Sequence, residues 1–430
     1  MSNAPLLQRQ SFYLRPDPGR VLVRPFKISA EPRDRTPTDT RRVSRIVGRV
    51  LALDPQSAES QLAQVLEHLR GRHRHLAATL DARADAMEAA LAAHGAFTST
   101  QRQLIGAYFL HEYSFEAVAL FNPSIVAHPD QTCAPPGGRR FILSLRAIGE
   151  GHVSSLTFRS GSIAANGTAT VDPTARLASI PRLQRRIESE REDCIELEFA
   201  PEEDISERVI FPITDAQSNG IEDARFVEFD DHGRRVFYAT YTAYNGSSIR
   251  SEMIETADFL RFRMTPLQGA AARNKGMALF PRKLDGQYAM IGRQDNENLY
   301  LIRSDDLYSW DEGMVILEPQ FPWEFVQIGN CGSPIELDEG WLLLTHGVGA
   351  VRQYAIGAVL LDKEDPSRVL GRSKQPLVGP ELSEREGYVP NVVYTCGAMR
   401  HHDRIILPYA VCDTFCNFAT LKIAALLRAM

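Results

Sequence analysis

The chain lacks long apolar runs, blocks of like charge and clustered cysteines, and each absence removes a class of protein. No stretch of its 430 residues approaches the ~18 apolar residues of a membrane span. The first thirty, MSNAPLLQRQSFYLRPDPGRVLVRPFKISA, are broken by Arg and Pro and hold no apolar core of signal-peptide length. Forty-eight Lys and Arg stand against 54 Asp and Glu, for a net charge of −6. Affinity for nucleic acid rests on clustered cations, so that partner is not expected. The six cysteines are scattered, and the nearest pair, Cys412 and Cys416 in CDTFC, has no second cluster to complete a zinc site. They read as reduced thiols of a cytoplasmic protein with no bound metal and no membrane partner.

What is present falls into two textures. Residues from about 55 to 112 read as helical, with Leu62, Val65, Leu66 and Leu69 on one stripe. The alanine-rich DARADAMEAALAAHG ends at a glycine, and TSTQRQLIGAYFLHEY opens on hydroxyl residues suited to capping. His68, His73 and His75 read as a solvated basic face. The helical stripes suit packing on the rest of the chain or on a second copy, so residues 1–115 are expected to form a helical extension and a route to a homo-oligomer.

From Phe121 onward, short β-like runs are cut by Gly, Asp and Asn. A unit of apolar strand, polar turn and apolar strand recurs five times, in FNPSIV…RRFILSLRAI, EDARFVEFDDHGRRVFYATYTAY, KGMALFPRKLDGQYAMIGRQ, GSPIELDEGWLLLTHGV and PNVVYTCGAMRHHDRIILPYAV. A third strand-like piece follows each unit. The spacing suits propeller blades of several strands, so a mainly β chain with a five-bladed propeller over residues 116–430 is predicted. The longer first interval, SGSIAANGTATVDPTARLASIPRLQRRIESERED, reads as an extra hairpin and a surface excursion.

Equivalent positions of repeated units converge around an axis. First strands open at Asn122, Asp223, Lys275 and Gly332, and second strands end at Arg146, Tyr241, Arg293, His346 and Asp413. In an extended chain Asp223 shares a face with Arg225, which can orient it, while Glu222 faces away. Lys275, Arg293 and His346 can make an anion pocket, whereas Asn122 and Asp413 suit sugar hydroxyls. Trp341 reads as core, and Trp323 as a rim aromatic.

These segments, with GIEDARF, KGMALFP, Gly292–Arg293, GSPIELDEGWLLLTHGV and NVVYTCGA in order over about residues 118–430, resemble glycoside hydrolase family 130, the β-mannoside phosphorylases and related β-mannosidases on five-bladed propellers. Ala224 stands where the family usually has Pro, and Val411 and Cys412 where it has small residues. The resemblance implies an inverting phosphorylase cleaving a β-mannoside, β-1,2-linked, to α-mannose 1-phosphate, with inorganic phosphate as co-substrate and no cofactor. Asp223 would be the general acid, protonating the glycosidic oxygen through a mannosyl hydroxyl. Arg293, His346 and Lys275 would bind phosphate, and Asn122, Arg146, Tyr241 and Asp413 the sugar. Inverting hydrolysis instead needs a second carboxylate to activate water, for which Asp295 and Glu297 are candidates; a sugar-binding propeller without turnover is the alternative outside enzymes.

Overall fold

A computed structural model describes residues 6–26, 40–87, 91, 96–187, 194–231 and 233–430, and it is mainly β. The chain divides into two compact units, one of Met1–Pro18, Phe115–Ala175 and Ile180–Met430, the other of Gly19–Ser114 with Arg176–Ser179.

Among the described residues the larger unit holds five antiparallel groups of strands. Group one is Ala119–Ala127, Arg139–Ile148 and Ser154–Ile163. Group two is Gly220–Asp231, Arg234–Tyr244, Ile249–Thr256 and Arg261–Pro266, joined to group one by a single parallel bridge between Gly220 and Ser154. Group three is Ala278–Leu279, Tyr288–Gly292, Leu299–Ser304 and Gly313–Leu317. Group four runs from Gln327–Asn330 and Ile335–Glu336 through Trp341–Val348 and Tyr354–Leu361 to Val369–Arg372. Group five has Val393–Tyr394 and Met399–His401 beside Arg404–Val411 and Phe415–Lys422.

Strands covered on both faces read as apolar runs; every residue of Trp341–Val348 is buried. Between groups one and two, Phe158, Phe226, Phe259 and Phe262 interlock edge to face and stacked, giving the core a fixed geometry beyond its buried area. The turn at Asp285–Gly286 has positive φ at both residues, 49° and 82°, the conformation that matches a hairpin's twist.

Consecutive groups are tied by backbone amides. Phe226 N donates to Ser124 Oγ (3.0 Å), Asp230 N to the Pro281 carbonyl (3.0 Å), Ile328 N to Glu297 (3.0 Å) and Tyr354 N to Asn391 (3.0 Å). Group five meets group one through Leu120 N to Thr414 O (2.9 Å) and Cys396 N to Pro123 O (2.8 Å).

One part of this unit differs from the sequence reading, and the long first interval holds the extra hairpin expected of it. The strand Leu7–Leu14 does not belong with the helices; it pairs antiparallel with Phe415–Lys422 as an outer strand of group five. Its polar alternation hides this, because an outer strand needs only its backbone and a few anchors, here Tyr13 edge-on to Phe415 and Arg9 Nε donating to Tyr409 Oη at 3.1 Å. The long interval becomes a return strand, Ala169–Val171, and a hairpin of Arg182–Ile187 with Cys194–Glu198 that extends the outer edge of group two.

In the smaller unit, helices Thr40–Leu51, Pro55–His68, Leu76–Asp85 and Ser99–Tyr108 accompany a ribbon of Val21–Pro25 and Leu110–Ser114. Asp54 caps the second helix, and Thr98 with Gln101 forms a reciprocal capping box on the fourth. The first helix starts well before residue 55: Val43, Val47 and Val50 make a buried stripe that a proline-rich approach obscures. His73 is not on a solvated face, since its Nε2 lies 2.6 Å from Glu112, which also takes Arg72 at 2.7 Å. Residues 88–90 and 92–95 of the alanine-rich piece lie outside the described residues. Among the described residues no helix is long and apolar enough to cross a membrane.

Candidate active site

The first strands of groups one and two each slip register at the same place. Pairing is lost between Phe121 and Ser124 in one and between Glu222 and Arg225 in the other, and Asn122 and Asp223 take positive φ, 49° and 53°. Such irregularities re-aim a side chain that regular pleating would send elsewhere. Here they bring two residues 101 apart in sequence together, with Asn122 Nδ2 donating to Asp223 Oδ1 at 2.7 Å.

Arg146, from the second strand of group one, completes the corner. Its Nη2 donates to Glu222 Oε1 at 2.6 Å and its Nη1 to Asp223 Oδ1 at 3.3 Å, while the guanidinium rests 5.1 Å from the Phe121 ring centre. Glu222 therefore does not face away: the slip cancels the alternation of an extended strand and puts both carboxylates under one guanidinium. The two side chains are 12% and 13% exposed.

Arg225 acts differently from the sequence expectation. Its Nη1 donates to the backbone carbonyl of Asp223 (2.9 Å), its Nε to that of Cys331 (3.0 Å) and its Nη2 to Tyr394 Oη (2.9 Å). It thus positions the acid by pinning the main chain at the irregular residue rather than by gripping the carboxylate.

The electrostatics separate two aspartates. Burial alone would raise the Asp223 carboxyl, but Arg146 first, then Arg225 and Lys275, hold it below the ordinary carboxylate value. Asp413 follows Cys412 at a turn where both residues have positive φ. Its burial, reinforced by the negative charge of Asp223, pushes its carboxyl up to about 6.

Groups three and four supply a cationic corner. Arg293 is 9% exposed; its Nε donates to the Lys275 carbonyl (3.2 Å), its Nη1 approaches His346 Nε2 (3.4 Å), and it makes no salt bridge among the described residues. His346 is wholly buried, packed against Tyr354 and Tyr394. Burial, then the charge of Arg293, lower its pKa well below the ordinary value, so a neutral imidazole backs Arg293 rather than forming the pocket surface. Lys275, 39% exposed, keeps its amine 3.7 Å from Glu222 Oε2.

Tyr241 leaves the set. It is 2% exposed in the core between groups one and two, and its hydroxyl is spent on Glu252 and Gln217. Asp295 is also engaged: it accepts from the amides of Glu297 and Asn298 and from Tyr300 Oη, as a turn residue does. Trp341 is core, whereas the Trp323 ring covers Gly347 and Gly357 and is no free platform. Among residues the sequence reading passed over, Asn330 has both side-chain polar atoms buried without a partner, as have Asn122 Oδ1, Arg146 Nε and His346 Nδ1. Buried polar atoms are normally paired, so these leave hydrogen-bonding capacity for a polar ligand at the acid and cationic corners.

A mainly β chain that gathers a buried carboxylate, an Arg that grips it and a cationic corner whose Arg293 has no acidic partner among the described residues has the make-up of a carbohydrate-active enzyme. The profile of glycoside hydrolase family 130, described as beta-1,4-mannooligosaccharide phosphorylase, matches residues 197–430, and the chain belongs to this family. It is 36% identical over 213 residues to a 1,2-beta-oligomannan phosphorylase of Thermoanaerobacter sp. (strain X514), covering 49% of this chain and 70% of that one. Against a beta-1,2-mannobiose phosphorylase of Listeria innocua it is 31% identical over 231 residues, 51% of this chain and 63% of the relative. A glycosyl hydrolase structure from Bacteroides ovatus, 18% identical, superposes with a TM-score of 0.52 over 72% of this chain and 85% of its own, a likeness of fold alone.

Proposed function

We infer that this enzyme is an inverting phosphorylase of β-1,2-linked manno-oligosaccharides that releases α-mannose 1-phosphate. The observation that carries the reading is the pairing of one buried acid corner, Asp223 with Asn122 and Arg146, with a separate cationic corner in which Arg293 has no acidic partner among the described residues. The names of the relatives favour the β-1,2 linkage.

In the reaction a phosphate oxygen attacks the anomeric carbon, the bond to the glycosidic oxygen breaks, and that oxygen receives a proton originating at Asp223 through a mannosyl hydroxyl. Arg293 offers its planar fork and Lys275 its ammonium to the phosphate, which as an anion needs aiming rather than a general base. His346 holds Arg293 in place. Asp223 is ionised beside so many cations; the negative charge of bound phosphate next to Lys275 and Arg293 offsets them and raises its proton affinity. Asn122, Arg146 and Asp413 engage the mannosyl unit. The reaction uses phosphate as co-substrate and no cofactor.

The five groups of strands are proposed as the blades of a five-bladed propeller, a reading supported by amide bonds that link each group to the next and the fifth back to the first. Six unpaired cysteines suit a reducing compartment such as the cytoplasm.

The test is β-1,2-mannobiose incubated with and without inorganic phosphate, assaying mannose 1-phosphate and free mannose. Sugar phosphate formed only with phosphate supports the reading. Free mannose in equal amounts with and without phosphate overturns it in favour of hydrolysis, with Glu222 as the first candidate for the water-activating base.

A further inference from the structure

One rim of the site is shaped by residues the mechanism does not use. Tyr388 is anchored beside the Asp413 turn: its amide donates to Thr414 Oγ1 at 2.7 Å, and the Val389 amide to the Cys412 carbonyl at 2.9 Å. Gly387 lies so close that a Cβ there would stand 2.5 Å from Cys412 Cβ and from Thr414 Oγ1. The backbone is therefore fixed one contact away from Asp413, yet the Tyr388 side chain remains 47% exposed.

Its ring stacks on His152, with centroids 5.7 Å apart and planes at 23°, and its hydroxyl lies 3.1 Å from His152 Nδ1. His152 has φ +60° in the tight turn that follows Arg139–Ile148, the strand delivering Arg146. An equivalent turn follows Trp341–Val348, the strand delivering His346, and there Val351 and Arg352 both have positive φ, 55° and 53°. That backbone is unfavourable for any side chain and more so for a β-branched one. Arg352 is exposed, sits 5.9 Å from the Tyr354 ring centre, and is one of the two cations that lower the Asp413 carboxyl against its burial. Turns from three groups thus set an aromatic pair beside the Asp413 turn and a guanidinium within electrostatic reach of its carboxylate.

An apolar ring face bordered by hydrogen-bonding groups is the surface that a pyranose recognises, its C–H face on the aromatic and its hydroxyls on the polar rim. The cationic corner is assigned to phosphate, and displacement with inversion requires the leaving sugar on the side away from it. We propose that the sugar on the leaving side of the scissile bond, the acceptor in the synthetic direction, stacks on Tyr388, with His152 fixing the ring and Arg352 meeting its hydroxyls. The proposal rests on the phosphorylase reading above and adds who grips the acceptor.

The experiment runs the reaction in the synthetic direction, from α-mannose 1-phosphate and mannose, with Tyr388→Ala, Tyr388→Phe, His152→Ala and Phe325→Ala. Tyr388→Ala is expected to raise the acceptor KM about tenfold while the KM for mannose 1-phosphate stays within about twofold. Tyr388→Phe keeps the stacking face and the wild-type acceptor KM, and His152→Ala falls between. Phe325, an exposed aromatic of another loop (63% exposed), serves as the comparison. An unchanged acceptor KM in Tyr388→Ala, an equal rise for both substrates, or a rise in Phe325→Ala alone overturns the proposal while leaving phosphorolysis standing. Should the wild type yield no product in either direction, the phosphorylase reading fails, and saturation-transfer NMR with β-1,2-mannobiose decides the subsite by itself. Loss of saturation on the reducing-end ring in Tyr388→Ala supports it; equal saturation in both proteins sinks it.

Discussion

The first strands of groups one and two run between two polar regions that are built differently. Downstream, a cavity of about 550 Å3 is lined by Arg139, Glu228, Arg235, Arg282, Glu336 and Arg400. Its charges are partly exposed and mostly paired, Arg235 with Glu228 at 2.7 Å and Arg282 with Glu336 at 3.0 Å, on regular strand. Upstream, around Asn122 and Asp223, charges are buried, the backbone is irregular and several polar atoms have no partner. Room alone therefore does not locate the chemistry. Buried charge that the fold keeps under-satisfied does, because such an arrangement is costly and persists only where something else requires it.

The contrast can be broken by substitution, and the largest effect is expected at Asp223. Asp223→Asn should lower phosphate-dependent release of mannose 1-phosphate by about 10³-fold or more while β-1,2-mannobiose still binds, measured by initial rates and calorimetry. Full activity in that variant would remove the acid from the site. Arg293→Ala should raise the KM for phosphate by roughly 30- to 100-fold, the scale of lost hydrogen bonds to a charged group, with the mannoside KM nearly unchanged. Arg293→Lys should recover only part, since an ammonium cannot reproduce the planar fork.

A smaller effect concerns pH. If Asp413 must be ionised to accept sugar hydroxyls, kcat/KM falls as pH drops below about 6, and Asp413→Asn, though slower, loses that limb. The stability sign follows from the same raised value. A carboxyl whose folded pKa lies above its unfolded one stabilises fully below the unfolded value and loses that contribution as pH rises through about 6. Asp413→Asn should accordingly raise Tm at pH 8 and have less effect at pH 5, as thermal unfolding at the two pH values would show. The smallest effect belongs at the other end: Arg235→Ala should change activity less than twofold and stability by no more than about 0.5 kcal/mol, because the pair it breaks is exposed. A large loss of activity there would mean that the downstream cavity takes part in turnover.

Much of the candidate site's geometry was legible from phase. Asn122, Arg146, Asp223 and Arg293 recur at equivalent corners of the units, and the structure brings the first three into direct contact. The errors are errors of parity. Thr242, not Tyr241, pairs with Glu222 as Arg146 pairs with Phe121, and a one-residue offset on a strand turns a side chain to the opposite face. Glu222 was misplaced because EDAR contains no glycine to announce the irregular residue at Asp223. The strand Leu7–Leu14 was missed because its partner lies four hundred residues away.

The sequence by itself determined the mainly β character, the recurrence of five similar units and the candidate residues at their corners, since alternation, turn residues and repeated phase are local properties of the chain. Only the tertiary structure decided which way those residues face. Two register slips, a guanidinium spent on main-chain carbonyls and a histidine buried behind an arginine are settled by cross-strand hydrogen bonding and packing between groups distant in sequence, and no local pattern encodes them.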